Sequence, residues 1–250
     1  MRRDGLEELN ISVDDHHLPY ISFENVVNAW KVSKEFDFGA VVIANSHGIR
    51  STITPEFIMK RLGETISLRF DENGTDCTDV RAAKGSTYRA ISNSKLQRLE
   101  RADEALAKEE FSPASNVEDL NLGCPNAVKS AALSPNGHLL SCCGFELEGN
   151  AVLDFGDVNL SPMEDLVHQA NNDMIVSAIA ILGPLFLKNF IQKVAPEIDF
   201  PKQYGTVCEV CNSVVKNPRA IQILRDRMNI LGPMVISARM VANGTQKAAS

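Results

Sequence analysis

Four of the six cysteines in this 250-residue sequence are spaced as ligands of a shared centre. Cys124 and Cys142 are separated by 17 residues, with twelve residues between Cys124 and Gly137 and four between Gly137 and Cys142. Cys208 and Cys211 form a Cys-x-x-Cys pair. A pair at that spacing places two sulfurs on one metal, because the chain reverses over a few residues. Between the other two lies Ser134-Pro135-Asn136-Gly137, flanked by short apolar stretches. Asn-Gly tolerates the positive φ of a tight turn, so a hairpin there carries Cys142 back toward Cys124. Four thiolates meeting at one point make a zinc site or an iron–sulfur site. Zinc ribbons use two close knuckles and here only one pair is close, but thiolate softness leaves both metals open. Unrelated buried cysteines are the plainer alternative.

The elements that would position these residues fall into two parts. Leu9–Val13 alternates apolar and polar residues and predicts a short strand. Ser22 caps a helix from Phe23 to Glu35, with Phe23, Val26, Val27, Trp30 and Phe36 at helical spacing. Ala40–Ala44 is a continuous apolar run suited to a strand buried on both faces. Thr54-Pro55 opens a second helix, and Ile66–Phe70 predicts a third strand. The order strand, helix, strand, helix, strand indicates parallel βα units, too few to close an eight-stranded barrel. Asp71–Ser94 reads as loop, and Leu96–Phe111 as a charged amphipathic helix. Ser112–Asn116 is the best linker, which divides the chain into residues 1–111, residues 112–241 and a small, polar, disordered tail at 242–250. The second part should hold the hairpin around Asn136-Gly137, a loop with Gly149 and Gly156, and a helix from Ser161. The apolar segment Met174–Leu187 and a last helix near Pro218–Met228 follow.

Composition sets limits on function. Hydrophobic residues make up 44% of the chain, enough for a sizeable core, and the formal net charge of −7 argues against broad nucleic-acid binding. The longest apolar run, Met174–Leu187, is interrupted by Gly183-Pro184 and is shorter than the roughly 20 residues a membrane span needs, so no membrane association is expected. Met1-Arg2-Arg3 leads into Asp4 and Glu7-Glu8 rather than an apolar segment, which points to the cytoplasm, where thiols stay reduced.

The pattern Cys-x12-Gly-x4-Cys, then a gap and Cys-x2-Cys, resembles the auxiliary-cluster domain of radical SAM enzymes, called SPASM in its full form and twitch in its shortened one. With no cysteine after Cys211, the chain is similar to the twitch form. The resemblance implies one auxiliary [4Fe–4S] cluster on Cys124, Cys142, Cys208 and Cys211. Cys143 would then be an adjacent spare thiol, and Cys77 lies outside the pattern. Leu6, Leu9, Ile11 and Ser12-Val13-Asp14, followed by His16 and His17, resemble the fourth strand of the radical SAM barrel. That places Ser12 as a possible SAM contact and puts a histidine where barrel enzymes build their sites. A solvated turn is the other reading of Asp14–His17. The family's own Cys-x3-Cys-x2-Cys is absent from the sequence. The expectation is therefore the C-terminal part of a radical SAM enzyme: a half βα barrel followed by a small α+β twitch-like domain. It would be inactive alone, using SAM only if the missing half is supplied. Family chemistry would be radical modification of a peptide or small-molecule substrate. The partner would be the missing half, or a second copy through an exposed sheet edge. The alternative is a non-enzymatic iron–sulfur or zinc-binding module.

Overall fold

A computed structural model of the chain describes residues 5–36, 38–68, 87–114, 116–124, 126–127, 129–142 and 147–248, with backbone only from 242 onward. The chain divides into two compact units, Met1–Leu96 with Leu106–Ser112, and Gln97–Ala105 with Pro113–Ser250.

The first unit is a parallel sheet with helices on one face. Its strands are β1 (Glu8–Ser12), β2 (Ala40–His47), β3 (Ser67–Leu68) and β4 (Tyr88–Lys95), in the order β1-β2-β4-β3. Register aligns Leu9 with Val41, and Ile11 with Ile43, Ile91 and Leu68. Strand side chains alternate between faces, so these residues share one face. Helices α1 (Phe23–Ser33) and α2 (Pro55–Leu62) pack against that face through Val26, Val27, Trp30 and Ile58. Trp30 is 1% exposed, and burying such a side chain contributes roughly 1.5–3 kcal/mol. Ser22 accepts the Glu24 N–H at the start of α1; Thr54 caps α2 with Pro55 at its first position. The opposite face carries Asn10, Ser12, Val42, Ala44, Ala90 and Ser92.

The expected parallel strands therefore form, with a correction: Tyr88–Lys95 is a central strand rather than loop. Only its Ala90 and Ile91 are buried, so the apolar signal is two residues long. Phe70 of the expected third strand lies outside the described residues. The expected helix over Leu96–Phe111 is also corrected to a short α3 (Glu100–Ala105) and a 3-10 turn at Lys108–Glu110. The backbone there is committed elsewhere. Leu96 N–H donates to the His47 carbonyl, and the Glu110 carbonyl accepts from Ile49 N–H. Glycine is needed opposite that carbonyl: a Cβ on Gly48 would lie 2.3 Å from Glu110 O.

The second unit combines a three-stranded antiparallel sheet with helices. Strands β5 (Ala132–Leu133) and β6 (His138–Leu140) form the expected hairpin, closed by Gly137 at φ 88°. A third strand, β7 (Asp154–Asp157), pairs with β6 where the sequence suggests loop. The apolar segment becomes α5 (Met174–Ile181) and α6 (Pro184–Val194), bent by 115° at Gly183. Among the described residues no single helix is long and apolar enough to cross a membrane. Ile175, Val176, Ala178 and Ile179 of α5 are instead buried in the core, with α4 (Met163–Asn172) preceding them. After α7 (Val207–Val215) and α8 (Pro218–Asp226), α9 runs from Met228 to Ala248, into the segment expected as a tail. Gly232-Pro233 reads as a helix stop, but Leu231 and Val235 are buried in the core, and tertiary packing supplies most helical stability.

Candidate metal centre

Helix α7 fixes two of the four cysteines. Thr206 caps it by accepting Glu209 N–H, and the buried Glu209 carboxylate accepts from Gly205 N–H at 2.8 Å and Arg98 N–H at 2.9 Å. Cys208 and Cys211 are three residues apart and so lie on one helix face. The positive end of the helix dipole makes this terminus favourable for a negative ligand set.

Cys124 is held by a close backbone approach. Its N–H donates to the Ile179 carbonyl at 3.0 Å. A Cβ on Gly123 would meet the Ala180 carbonyl oxygen at 2.2 Å. On the other side of the contact, Gly183 has φ 88°, and a Cβ there would meet Leu122 O at 2.3 Å. Glycines therefore let residues 122–124 lie against the end of α5. Cys142 follows β6, where Ser141 N–H donates to the Leu153 carbonyl at 2.9 Å.

The four thiols share one neighbourhood and form no disulfide. Cys211 is 8% exposed within the core, and Cys124 and Cys142 pack against that core. Burial pushes the Cys211 thiol well above its ordinary pKa, and the charges of Cys124, Cys142 and Cys208 push it further. Each of the other three thiols is thus close enough to Cys211 to act on its charge. Coordination is a tighter requirement, and among the described residues no group of three or more His, Cys, Asp or Glu is arranged to hold a metal ion. Charge acts over a longer range than a metal–sulfur bond of about 2.3 Å, so the two observations are compatible.

The donor set suits a thiolate-bound metal, and one orphaned atom belongs to the residue that precedes Cys142 in sequence. Ser141, 1% exposed, carries a buried hydroxyl with no partner among the described residues. A hydroxyl can donate to a ligating sulfur or a cluster sulfide, the kind of outer contact that tunes such centres. Asn212 Oδ1 is also buried without a partner, and as an acceptor it gains nothing from a sulfide. Both residues adjoin a cysteine in the sequence, which is the one signal that would have singled them out.

The other candidate residues fall elsewhere. Ser12 is exposed at the C-terminal end of β1, on the face away from α1 and α2. Asp14–His17 forms a turn: the buried Asp14 carboxylate accepts His16 N–H at 2.9 Å, His17 N–H at 3.0 Å and the His17 ring at 2.8 Å. Asp15 ties this turn to the β2–α2 connection by accepting from Thr52 N–H and hydroxyl and from Ile53 N–H. Burial raises the Asp15 pKa, but these hydrogen bonds outweigh it and hold the carboxyl below its usual range. Cys77 and Cys143 lie outside the described residues. Comparison with known proteins found no matching family model and no matching curated protein.

Proposed function

We propose that Cys124, Cys142, Cys208 and Cys211 hold one [4Fe–4S] cluster in a twitch-like auxiliary domain, and that the parallel sheet of the first unit is part of a radical SAM-type barrel. The observation that carries the reading is the packing of Cys124 and Cys142 against the core that holds Cys211, with Cys208 on the same face of α7. Four thiolates around one core suit a cubane, whose ligands stand farther apart than those of a single zinc. Such a cluster supplies an electron acceptor or an iron that binds substrate. The sheet supports the barrel reading because its helices pack on one face while small and polar residues occupy the other. On that second face Ser12 stands ready to contact SAM.

The substrate class is a peptide or a small molecule. Reductive SAM cleavage needs three cysteine ligands with an open iron, and the sequence contains no Cys-x3-Cys-x2-Cys, so that function belongs to the missing half, in a longer frame of this chain or in a second polypeptide. The edge strand β1 is where such a partner, or a second copy, would pair.

Anaerobic reconstitution followed by iron and sulfide analysis tests the centre. About four of each per chain is the expected result for one cubane. Serine at any one of the four positions should lower bound iron and destabilise the second unit, since site formation is coupled to folding. Cys77→Ser should do neither. Zinc in place of iron, with four-thiolate coordination by X-ray absorption, would replace the radical SAM reading with the metal-binding module. Release of 5′-deoxyadenosine from SAM by this chain alone would overturn the assignment of that step to the missing half.

A further inference from the structure

A second candidate site lies in the first unit and does not depend on the metal centre. It sits at the C-terminal ends of β2 and β4, on the face carrying α1 and α2 and thus opposite Ser12. By register Asn45 faces Asn93, and His47 stands two residues beyond Asn45 on the same face. Asn45 is 1% exposed; its Nδ2 donates to the Val13 carbonyl at 2.7 Å and the Ile53 carbonyl at 3.1 Å, which leaves Oδ1 as an acceptor. Asn45 Oδ1, Asn93 Oδ1 and His47 Nδ1 are all buried with no hydrogen-bond partner among the described residues. Buried polar atoms are nearly always paired; Asn45 Oδ1 stays within the core, while the orphans of His47 and Asn93 border open space and call for a ligand.

His47 and Asn93 line a cavity of about 510 Å³, together with Ser51, Thr54, Glu56 and Leu68. The lining is rich in acceptors. Ser51 Oγ and Thr54 Oγ1 already accept backbone N–H groups from Gly48 and Phe57. Hydrogen bonds from the Thr54 hydroxyl and from its own N–H keep the Glu56 carboxyl below its usual range, so it is charged at neutral pH. Among the described lining residues there is no lysine or arginine. An anion finds no counter-charge here, whereas a donor-rich cation would satisfy Asn93 Oδ1 and pair with Glu56.

The geometry points to a binding site for a small molecule bearing a protonated amine or guanidinium group, held by Asn93, His47 and Glu56 at the top of the helix-facing layer. The test is a titration of the full chain, labelled with ¹⁵N-histidine, with agmatine as probe and succinate as anionic control. The His47 resonances are assigned with His47→Gln. Agmatine should shift the His47 Nδ1 resonance to saturation, and succinate should leave it in place. Asn93→Leu, which removes the acceptor and puts an apolar side chain in its place, should abolish the response. Glu56→Gln, on the exposed rim, should weaken binding by up to about fivefold, the size of one exposed charge pair. Absence of a saturable shift with agmatine, an equal response to succinate, or unchanged agmatine affinity in a folded Glu56→Gln variant each overturns the proposal.

Discussion

Gly123→Ala tests whether a close backbone approach delivers Cys124 to the centre. The added Cβ would stand 2.2 Å from Ala180 O and 3.1 Å from Ile181 O, while ordinary contact begins at 3.4 Å. Both obstacles are backbone carbonyls, so no side chain can turn aside. Relief requires a movement of 1.2 Å, the difference between 3.4 and 2.2 Å. Overpacking of this kind costs about 1–3 kcal/mol, and an unyielding helix end places the variant near the upper figure. Metal–ligand distances tolerate only about 0.2 Å, so the same movement should also detach the neighbouring thiol. Two readouts separate these effects: the urea midpoint of metal-free protein, and iron bound after reconstitution. Gly149→Ala is the control. Unlike Gly123, Gly149 has positive φ, 78°, but a Cβ there meets nothing within 4 Å, so its cost is backbone strain of about 1–2 kcal/mol with iron retained. A Gly123→Ala protein within about 0.5 kcal/mol of the parent and holding full iron would refute the reasoning.

Three further outcomes are expected. Asn45→Ala removes the donor shared by the Val13 and Ile53 carbonyls while relieving an orphaned Oδ1; a net loss of about 2 kcal/mol in urea unfolding is expected, and an unchanged midpoint would contradict it. His138 is raised above its ordinary pKa by its hydrogen bond to Asp154, so the stability this contributes is complete below about pH 6.5 and disappears as pH rises through the folded value. Asp154 acts in the opposite sense. Burial raises its pKa, but Gly149 and Gly156 N–H and the His138 ring outweigh this, so its contribution fades as pH falls below about 4. The stability gap between the parent and His138→Gln should therefore be wider at about pH 5.5 than at about pH 8.5, and a constant gap rules out the pairing. Finally, β1 ends the described sheet and should promote concentration-dependent association, measurable by light scattering; a monodisperse monomer at high concentration would count against this.

Legibility in the sequence tracked how local each signal is. The hairpin was readable because Asn136-Gly137 carries its turn geometry in two residues. Both helices of the first unit were readable from their caps, Ser22 and Thr54-Pro55. Strand β4 was not, because its place is decided by pairing with β2 and β3 while most of its residues are polar or partly exposed. The same holds for β7, whose Asp154-Phe155-Gly156-Asp157 has a turn-like composition but pairs with β6. Asn93 escaped notice for the reason β4 did: within an apparent loop, nothing marks its side chain as buried.

The cysteines show where spacing stops being informative. Their spacing predicts convergence; burial raises the Cys211 pKa and the charges of the other three thiols add to it, which is compatible with that expectation. Convergence alone is weak support for a metal, since a neutral thiol packs as a small apolar group and Cys211, with its raised pKa, is neutral at pH 7. Hydrophobic packing does not account for Ser141, however. A core that gained only from apolar contact would favour alanine there over a buried hydroxyl without a partner. A cluster bound at these cysteines would carry charged sulfur that could serve a hydroxyl within reach as acceptor, and its iron would replace the protons that burial otherwise retains on the thiols. Ser141→Ala therefore distinguishes the two accounts. If the site is only core, removing the orphan should stabilise the protein; if it is a metal centre, the variant should shift the reduction potential of the reconstituted cluster while leaving iron content intact.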